Sequence, residues 1–283
     1  MNAEALVSQV KDLAAPSPAV IKLLDLLNKP DADADQVIRV VQTDGVLSVK
    51  LLSLCNSAWL GLTTPVSSVD QAVLQVGYQK IHRLVLAVGF GDALRRALVG
   101  YAIDESELWK HSLTTALLTQ QVLTIGKLTF ADPSIAYTAG LVHDIGKLVL
   151  NQVLDPAAQT AIQELIASHG HSRLEAEKSV IGTDHPEVGA CLLKKWRIPE
   201  SIVEAVANHH QPVLTPQPTL SAVVHVANAV AHEVGSAPGW ESFAVPVSDA
   251  AMKALKIGPK ESDRMLMSAC DAIRTVAELA AVA

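Results

Sequence analysis

A histidine-aspartate pair lies in the middle of the chain, within the apolar segment AGLVHDIGKLVL at residues 139–150. His143 and Asp144 are adjacent, and Lys147 follows one helical turn later. Burying an imidazole and a carboxylate in an apolar helix is costly unless both groups are paired. A metal ion would satisfy both groups at once, whereas a buried salt bridge would do so without a metal. Because the dipeptide also occurs by chance, it does not decide between these interpretations alone.

Further histidines occur on or beside predicted helices, and they strengthen the metal interpretation. Transition metals are commonly bound by imidazole nitrogens, and carboxylates offset charge or bridge two ions. His111, His143 and Asp144 form a set of two histidines and one carboxylate. Asp144 could also bridge to a second ion, held by three histidines further along the chain. These three are His185, His209 and His210.

Lys147 is the residue of this region with a possible role toward a substrate. A metal ion lowers the pKa of its bound water and polarises a phosphoryl oxygen. One turn after His143, the ammonium of Lys147 would face the same pocket and could hold a phosphate as a point charge. If the protein is an enzyme, Lys147 is therefore the candidate catalytic residue.

The remaining histidines have structural interpretations. His82 has basic neighbours, which predict a solvated helix face. His169 and His171 flank a glycine in a predicted loop and are expected to be exposed. His232 stands beside a glutamate and is expected at the surface, whereas His225 could belong to the core or to a pocket.

Composition and periodicity predict an all-α protein. Hydrophobic residues make up 49% of the 283 residues and aromatic residues only 4%, so the core must be built from small aliphatic side chains. Apolar residues recur at helical spacing, and no alternating stretch is long enough to predict a strand. Lys29-Pro30 is predicted to end the second helix, and Asp33 to cap the third. Asp132-Pro133 is predicted to start one helix that carries the His-Asp pair and ends near Leu154.

Charge and apolar patterning argue against two classes of partner. The net charge is −7, and no basic face is visible, so nucleic acid is not expected as a main partner. No run approaches the ~18 apolar residues of a membrane span. The start of the chain lacks a secretory signal, and three widely separated cysteines favour reduced thiols. These features predict a soluble, cytoplasmic protein without membrane contact.

Taken together, the motifs resemble the HDOD family, the HD-related output domains of bacterial signalling proteins within the HD superfamily of metal-dependent phosphohydrolases. The resemblance is carried by LAAPSPAVIKLLDLL, LSVKLLSLCNSAWLG and VSSVDQAVLQVGYQKIHRLVLA in the first half. In the second half it is carried by LWKHSLTTALLTQQV, TAGLVHDIGKLVL, IGTDHPEVGACLLKKWRIPESIVEAVANHH and LSAVVHVANAVA. It implies a two-lobed helical HDOD fold. Residues 1–100 would form an N-terminal helical lobe and residues 101–283 an HD-like lobe that carries the His/Asp cluster, with the break near Gly100 to Asp104.

The resemblance also implies which residues would bind metal. His111 matches the first HD histidine, and His143-Asp144 matches the paired motif. Related two-metal HD-GYP phosphodiesterases use histidines that match His185, His209 and His210, and a late helical aspartate that is Asn228 in this chain. Asparagine offers a neutral oxygen, so affinity for a divalent ion should fall. The GYP segment is also replaced, because the chain continues as HHQPVLTPQPTL.

Two functions follow from these observations. The first is a signalling output module that acts by contacts with signalling proteins or with a small phosphate-containing ligand, as the resemblance implies, and retains part of the metal site. The second is a metal-dependent phosphohydrolase that acts on a nucleotide or cyclic dinucleotide. A purely structural helical protein would not explain the matched histidines. The departures at Asn228 and GYP favour the first function.

Electrostatic repulsion favours one bound ion over two, because only Asp144 of the matched ligands is anionic. The ion could be iron, manganese, nickel, zinc or magnesium, and it would be held by His111, His143 and Asp144.

Overall fold

The structure is a computed structural model that describes residues 2–10, 13, 15–27, 34–57, 59–214, 217–239 and 246–281. Helices make up most of these residues, and no β-strand forms among them. A single isolated β-bridge within these ranges joins Leu98 and Ile103. The all-α fold class is therefore confirmed. The predicted helix end at Lys29-Pro30 and the cap at Asp33 lie outside the described residues.

The first half of the chain consists of short helices that surround a longer one. They are α1 (Ala3–Gln9), α2 (Pro18–Leu27), α3 (Ala34–Gln42), α4 (Gly45–Cys55), α5 (Val69–Val76) and α6 (Tyr78–Leu94). A short 3-10 turn at Val99–Tyr101 then leads into the second half.

The second half is built around one long central helix, α7 (Glu107–Ile125). It is followed by α8 (Pro133–Val142), α9 (Gly146–Val153), α10 (Pro156–His169), α11 (Arg173–Ile181), α12 (His185–Lys195), α13 (Glu200–Ala207), α14 (Leu220–Glu233), α15 (Asp249–Ala254) and α16 (Pro259–Ala280). None of the helices within the described ranges is long and apolar enough to cross a membrane.

Proline after a capping aspartate sets two of the helix starts that position the site. Asp132 accepts hydrogen bonds from the backbone N–H groups at the start of α8, as predicted. Asp184 caps α12 in the same way, and Pro186 lies in the first turn of that helix.

The predicted single helix from Asp132 to Leu154 is wrong. Between α8 and α9 the chain makes a tight turn in which Ile145 N–H bonds to Val142 and Lys147 N–H to Asp144. These i→i+3 bonds interrupt the α-helix at the His-Asp pair.

A continuous buried core joins the two halves of the chain. Apolar side chains from α1 to α6 and from α7 to α13 belong to one cluster, and a second cluster lies where α14, α15 and α16 meet the end of α7. Helix α1 packs against α9 and α12, so the start of the chain contacts the second half. The division into lobes at residue 100 therefore stays a prediction.

His82 is buried in this core, and the prediction of a solvated position is wrong. Its side chain is only 1% exposed, and neither ring nitrogen has a hydrogen-bond partner in the described part of the chain. Basic neighbours misled the prediction because Lys80 and Arg83 lie on an adjacent, more exposed part of the α6 surface. Burial lowers the pKa of His82 to about 4.

Candidate metal centre

The close approach of α7 and α8 brings the first two histidines together. Gly140 on α8 permits this approach, because a Cβ at that position would lie 2.8 Å from Cα of Ala116 on α7. His111 projects from α7, and His143 follows the last residue of α8. As a result, the Nε2 atoms of His111 and His143 are 3.3 Å apart. The two rings meet edge to face and are both buried.

A second close approach, between α9 and α12, brings His185 to the same place. A Cβ at Gly146 would lie 1.9 Å from the carbonyl oxygen of His185 and 2.7 Å from the backbone nitrogen of Gly189. Only glycine therefore allows α9 to lie directly against the start of α12. His209 and His210 follow the end of α13, which packs against α12.

Backbone carbonyls fix the orientation of three of the rings. Nδ1 of His143 lies 2.8 Å from the carbonyl of Gly140, and Nδ1 of His209 lies 2.7 Å from that of Val206. Nδ1 of His111 contacts the carbonyl of Ser236 in the same way. A carbonyl can only accept, so each Nδ1 carries a proton, and in a neutral ring Nε2 then keeps the lone pair.

Asp144 lies at the centre of the converging rings. Its Oδ2 is 3.4 Å from Nε2 of His143 and 3.8 Å from Nε2 of His111. Its Oδ1 is 3.4 Å from Nε2 of His185 and 3.7 Å from Nε2 of His209. Oδ1 and Nε2 of His209 have no hydrogen-bond partner among the described residues. The two carboxylate oxygens therefore face two different groups of histidines.

The two groups could each hold an ion. One consists of His111, His143 and Asp144, and the other of Asp144, His185, His209 and His210. Within each group the ligand atoms lie within 4.8 Å of one another. His210 is half-buried, whereas the other members are buried. The structure thus brings together all the histidines that the sequence singled out, and it makes Asp144 common to both groups.

Glu177 is a buried carboxylate that sequence reasoning missed. Its Oε2 accepts from the backbone N–H of His185 at 2.8 Å and lies 2.9 Å from Nδ1 of the same residue. Nε2 of His185 lies 3.2 Å from Nε2 of His210. A carboxylate behind a metal-binding imidazole fixes the ring and raises its basicity. In the sequence, Glu177 is one of many helical glutamates, and only the fold places it behind His185.

Lys147 is the closest cation to Asp144. Its Nζ donates to Oδ2 at 2.8 Å, and the ammonium is buried. It also lies 6.0 Å from the ring centroid of Tyr101. A lysine so placed partly neutralises Asp144 on the side that faces His111 and His143.

Tyr101 connects the turn between the two halves to the histidine cluster. Its hydroxyl donates to Oε1 of Glu177 at 2.8 Å, and the guanidinium of Arg173 lies 4.6 Å from its ring centroid. The carboxylate of Glu177 therefore contacts Tyr101 through one oxygen and His185 through the other. This arrangement closes a ring of polar contacts, because His185 and Lys147 both reach Asp144.

One face of α14 covers the cluster. Nδ1 of His225 lies 2.9 Å from the carbonyl of His209, and its Nε2 accepts from the backbone N–H of Ser248. His232 packs against His111 with ring centroids 4.8 Å apart and is only 5% exposed, so its predicted surface position is wrong. Its neighbour Glu233 is exposed and suggested a surface, but successive side chains of a helix point about 100° apart, so the imidazole can be buried beside it.

Asn228 lies on the same face of α14, three residues after His225 and four before His232. It is 2% exposed, and its Oδ1 has no hydrogen-bond partner within the described ranges. Because an orphaned buried acceptor is costly, a cation near this oxygen would stabilise the arrangement.

Burial controls the protonation of the cluster. It lowers the pKa values of His111, His209 and His210 well below the ordinary histidine value, and neighbouring imidazoles lower them further. Burial also opposes the charged form of His185, but the charge and hydrogen bond of Glu177 outweigh it and raise that pKa. For Asp144, burial is outweighed by His143 and Lys147, so its pKa lies well below the ordinary range. An ionised carboxylate thus faces mostly neutral imidazoles, the protonation state that binds a metal.

The sequence matches the family model of the HDOD domain over residues 13–212. The chain belongs to the HDOD family. An HDOD domain protein of unknown function from Geobacter sulfurreducens has 26% sequence identity and a TM-score of 0.72, with 99% of this chain and 92% of that chain covered.

Two further solved structures agree in fold. A "putative phosphohydrolase" from Shewanella amazonensis SB2B is 24% identical, with a TM-score of 0.71 and coverage of 97% of this chain and 98% of that one. A "putative signal transduction protein" from Marinobacter aquaeolei VT8 is 20% identical, with a TM-score of 0.73 and coverage of 99% and 60%. The chain spans less than half of the length of the curated relatives that it matches.

Proposed function

We propose that this HDOD chain is a regulatory module of bacterial signal transduction that binds one divalent transition-metal ion and acts by binding other signalling proteins. One observation carries the metal site: imidazoles held at Nδ1 direct their Nε2 lone pairs toward one ionised carboxylate. Lone pairs repel one another unless a cation or proton lies between them. Because burial disfavours protonation of most of these rings, a metal ion is the better partner.

The contacts favour the group of Asp144, His185, His209 and His210 for that ion. Oδ1 of Asp144, on this side, has no partner among the described residues, whereas Oδ2 already accepts from Lys147. Glu177 adds a second carboxylate behind His185. The sequence favoured the other group, with His111 and His143. Sequence alone did not show that Lys147 bonds to Oδ2 of Asp144 or that Glu177 lies behind His185.

The ligand types favour a transition metal. Three imidazoles and one carboxylate suit iron, manganese, nickel or zinc, whereas magnesium prefers oxygen ligands and retains water. A second ion would meet the ammonium of Lys147 and the charge of the first ion, with few anions to offset either. One ion is therefore the expected stoichiometry.

A metal-dependent phosphohydrolase is the second candidate. It is favoured by the half-buried position of His210, the least buried member of its ligand group, and by the name of the Shewanella protein of similar fold. Against it stands Lys147, whose ammonium is bonded to Asp144 and would have to leave that carboxylate to hold a phosphate. Asn228 in place of an aspartate also lowers the anionic charge at the site.

Calorimetric titration of manganese or iron(II) into metal-free protein tests the site. We expect one equivalent to bind, His209→Ala to abolish measurable binding, and His111→Ala to leave most of the affinity. Equal losses in the two variants would contradict the placement of the ion.

Asn228→Asp should raise the affinity for the metal, because it replaces a neutral amide oxygen that has no hydrogen-bond partner among the described residues by an anionic carboxylate oxygen. Unchanged affinity would show that residue 228 does not face the metal.

Turnover separates the two functions. The loaded protein should hydrolyse neither cyclic dinucleotides nor a generic phosphodiester at a useful rate. Brisk hydrolysis that disappears in His143→Ala would instead make this chain an enzyme.

A further inference from the structure

A cavity lies away from the histidine cluster, where helices from both halves of the chain meet α16. It has a volume of about 300 Å³ and is bounded by α6, α7, α8, α16 and the indole of Trp59. This volume is at the small end of the range for ligand pockets. None of the residues of the metal cluster lines it.

The walls of this cavity are apolar. Leu84 of α6, Leu113 and Leu117 of α7, and Val276 and Leu279 of α16 form most of the surface. Trp59 and Tyr137 add aromatic faces. Such walls favour an apolar or aromatic body, because most of the contact surface that they offer is apolar. The hydroxyls of Thr275 and Tyr137, which also line the cavity, already donate to backbone carbonyls of the protein.

Two cations lie at the edge of the same cavity. Lys80 is exposed and Arg83 is half-buried, and they are one turn apart on α6. The lining contains no acidic side chain, although the protein carries a net charge of −7. Four other cavities among the described residues also have cations along their walls, and each of these includes an aspartate or glutamate as well.

The contacts of these cations leave their charges unopposed. Nζ of Lys80 lies 5.1 Å from the ring centroid of Trp59. Arg83 donates from Nη1 to Gln120 at 2.9 Å and from Nε to the carbonyl of Gln79. None of these partners is charged, and neither cation forms an ion pair with a carboxylate among the described residues.

We infer that this cavity binds a small organic anion with an apolar body, such as an aromatic or aliphatic carboxylate or sulfonate. The apolar part would occupy the space between α7 and α16, and the anionic group would lie between Lys80 and Arg83. Charge complementarity decides the choice, because an uncharged body of the same shape would leave both cations without a negatively charged partner. This site is independent of the proposed metal site.

A pair of fluorescent probes tests the inference on the whole 283-residue chain. The first is 1-anilinonaphthalene-8-sulfonate, and the second is N-phenyl-1-naphthylamine, which has the same aromatic body without the sulfonate. We expect the anionic probe to bind one site and the neutral probe to bind at least about fivefold more weakly. Lys80→Gln and Arg83→Gln should each weaken the anionic probe by about three- to fivefold, the effect of one partly exposed ion pair. Lys22→Gln, an exposed lysine on α2, is the matched control.

A variant that fills the cavity tests whether the probes bind inside it and are not only attracted to the charges of Lys80 and Arg83. Thr275→Trp on α16 should abolish saturable binding of both probes and keep the helical circular dichroism spectrum. Equal affinity of the two probes, unchanged affinity in Lys80→Gln and Arg83→Gln, or full binding by Thr275→Trp would each overturn the proposed site.

Discussion

At the scale of single residues, the carboxylate of Glu177 determines how well His185 can serve as a ligand. It contacts both the backbone N–H and Nδ1 of His185, and the hydroxyl of Tyr101 contacts its other oxygen. Replacing the charge by a neutral amide would keep the shape of the side chain and weaken the basicity of the ring.

We therefore predict that Glu177→Gln lowers the affinity for the metal ion by about 10- to 100-fold, as changes behind a ligating histidine commonly do. Isothermal titration of metal into the metal-free variant measures the affinity. Glu164→Gln, at an exposed position on α10, is the control. Unchanged affinity in Glu177→Gln would place the ion in the other ligand group, with His111 and His143.

His82 makes a separate prediction about acid stability. Its pKa is about 4 in the folded protein and 6.5 for an ordinary histidine. Above pH 6.5 it is neutral in both states and contributes no pH dependence. Between pH 6.5 and 4 only the unfolded state gains the proton, so the free energy of unfolding falls by up to about 3 kcal/mol as the pH is lowered.

His82→Leu should remove this contribution and raise stability by about 1–2 kcal/mol at pH 7.5, because two orphaned nitrogens disappear. Urea unfolding of both proteins at pH 7.5 and pH 5 gives the measurement. The advantage of the variant should be larger at pH 5. The histidine cluster titrates in both proteins, so its contribution to the free energy of unfolding cancels in the comparison. If the stability advantage of His82→Leu does not grow toward acid pH, the interpretation of His82 is contradicted.

At the scale of helices, two glycines set how closely the elements of the site approach. Gly140 lets α8 meet α7, and Gly146 lets α9 meet the start of α12. At both positions the nearest atom that a Cβ would meet belongs to the backbone, which cannot rotate away as a side chain can. The helices would have to separate, and the histidines with them.

Gly146→Ala should therefore destabilise the protein by about 3 kcal/mol and weaken metal binding, because overpacking against backbone forces α9 and α12 apart. Gly45→Ala is the matched control, since nothing lies within 4 Å of a Cβ at that helix start. Chemical denaturation of the two variants should show a large effect in the first and almost none in the second.

Sequence periodicity predicted most helices because apolar spacing and Asp-Pro starts are local signals. The prediction of one continuous helix failed at residues 143–145. The helix is interrupted there, next to the contact of Gly146 with α12, and no residue of the local sequence requires the interruption. Sequence reasoning failed for His82 and His232 because a charged neighbour in the sequence does not report which side of a helix a residue occupies. Glu177 was missed for the same reason: its significance depends on a contact with His185 across a turn.

At the scale of the whole molecule, the site depends on parts of the chain beyond the family match, which ends at residue 212. Helix α14 contributes His225, Asn228 and His232 to the surroundings of the cluster, and α16 packs along α7 and α14. An ion bound by Asp144, His185, His209 and His210 would hold together the turn between α8 and α9, the start of α12 and the end of α13 beneath this cover.

Metal binding should raise the thermal unfolding temperature of the whole chain in a single transition. At a free metal concentration of 100 times the Kd, the stabilisation should be about 2.7 kcal/mol. Differential scanning calorimetry with manganese, and again after a chelator is added, measures the shift. His209→Ala should show no shift, and a shift of full size in that variant would point to binding elsewhere.

The half-buried position of His210 has a consequence for chemical rescue. A ring removed from a partly open position leaves a gap that a small molecule can enter from solvent, whereas the place of His185 is enclosed and backed by Glu177. Free imidazole should restore the visible cobalt(II) spectrum of His210→Gly and leave that of His185→Gly unrestored. The same opening would let an external ligand, such as a side chain of a partner protein, take the position of His210 and sense the ion directly.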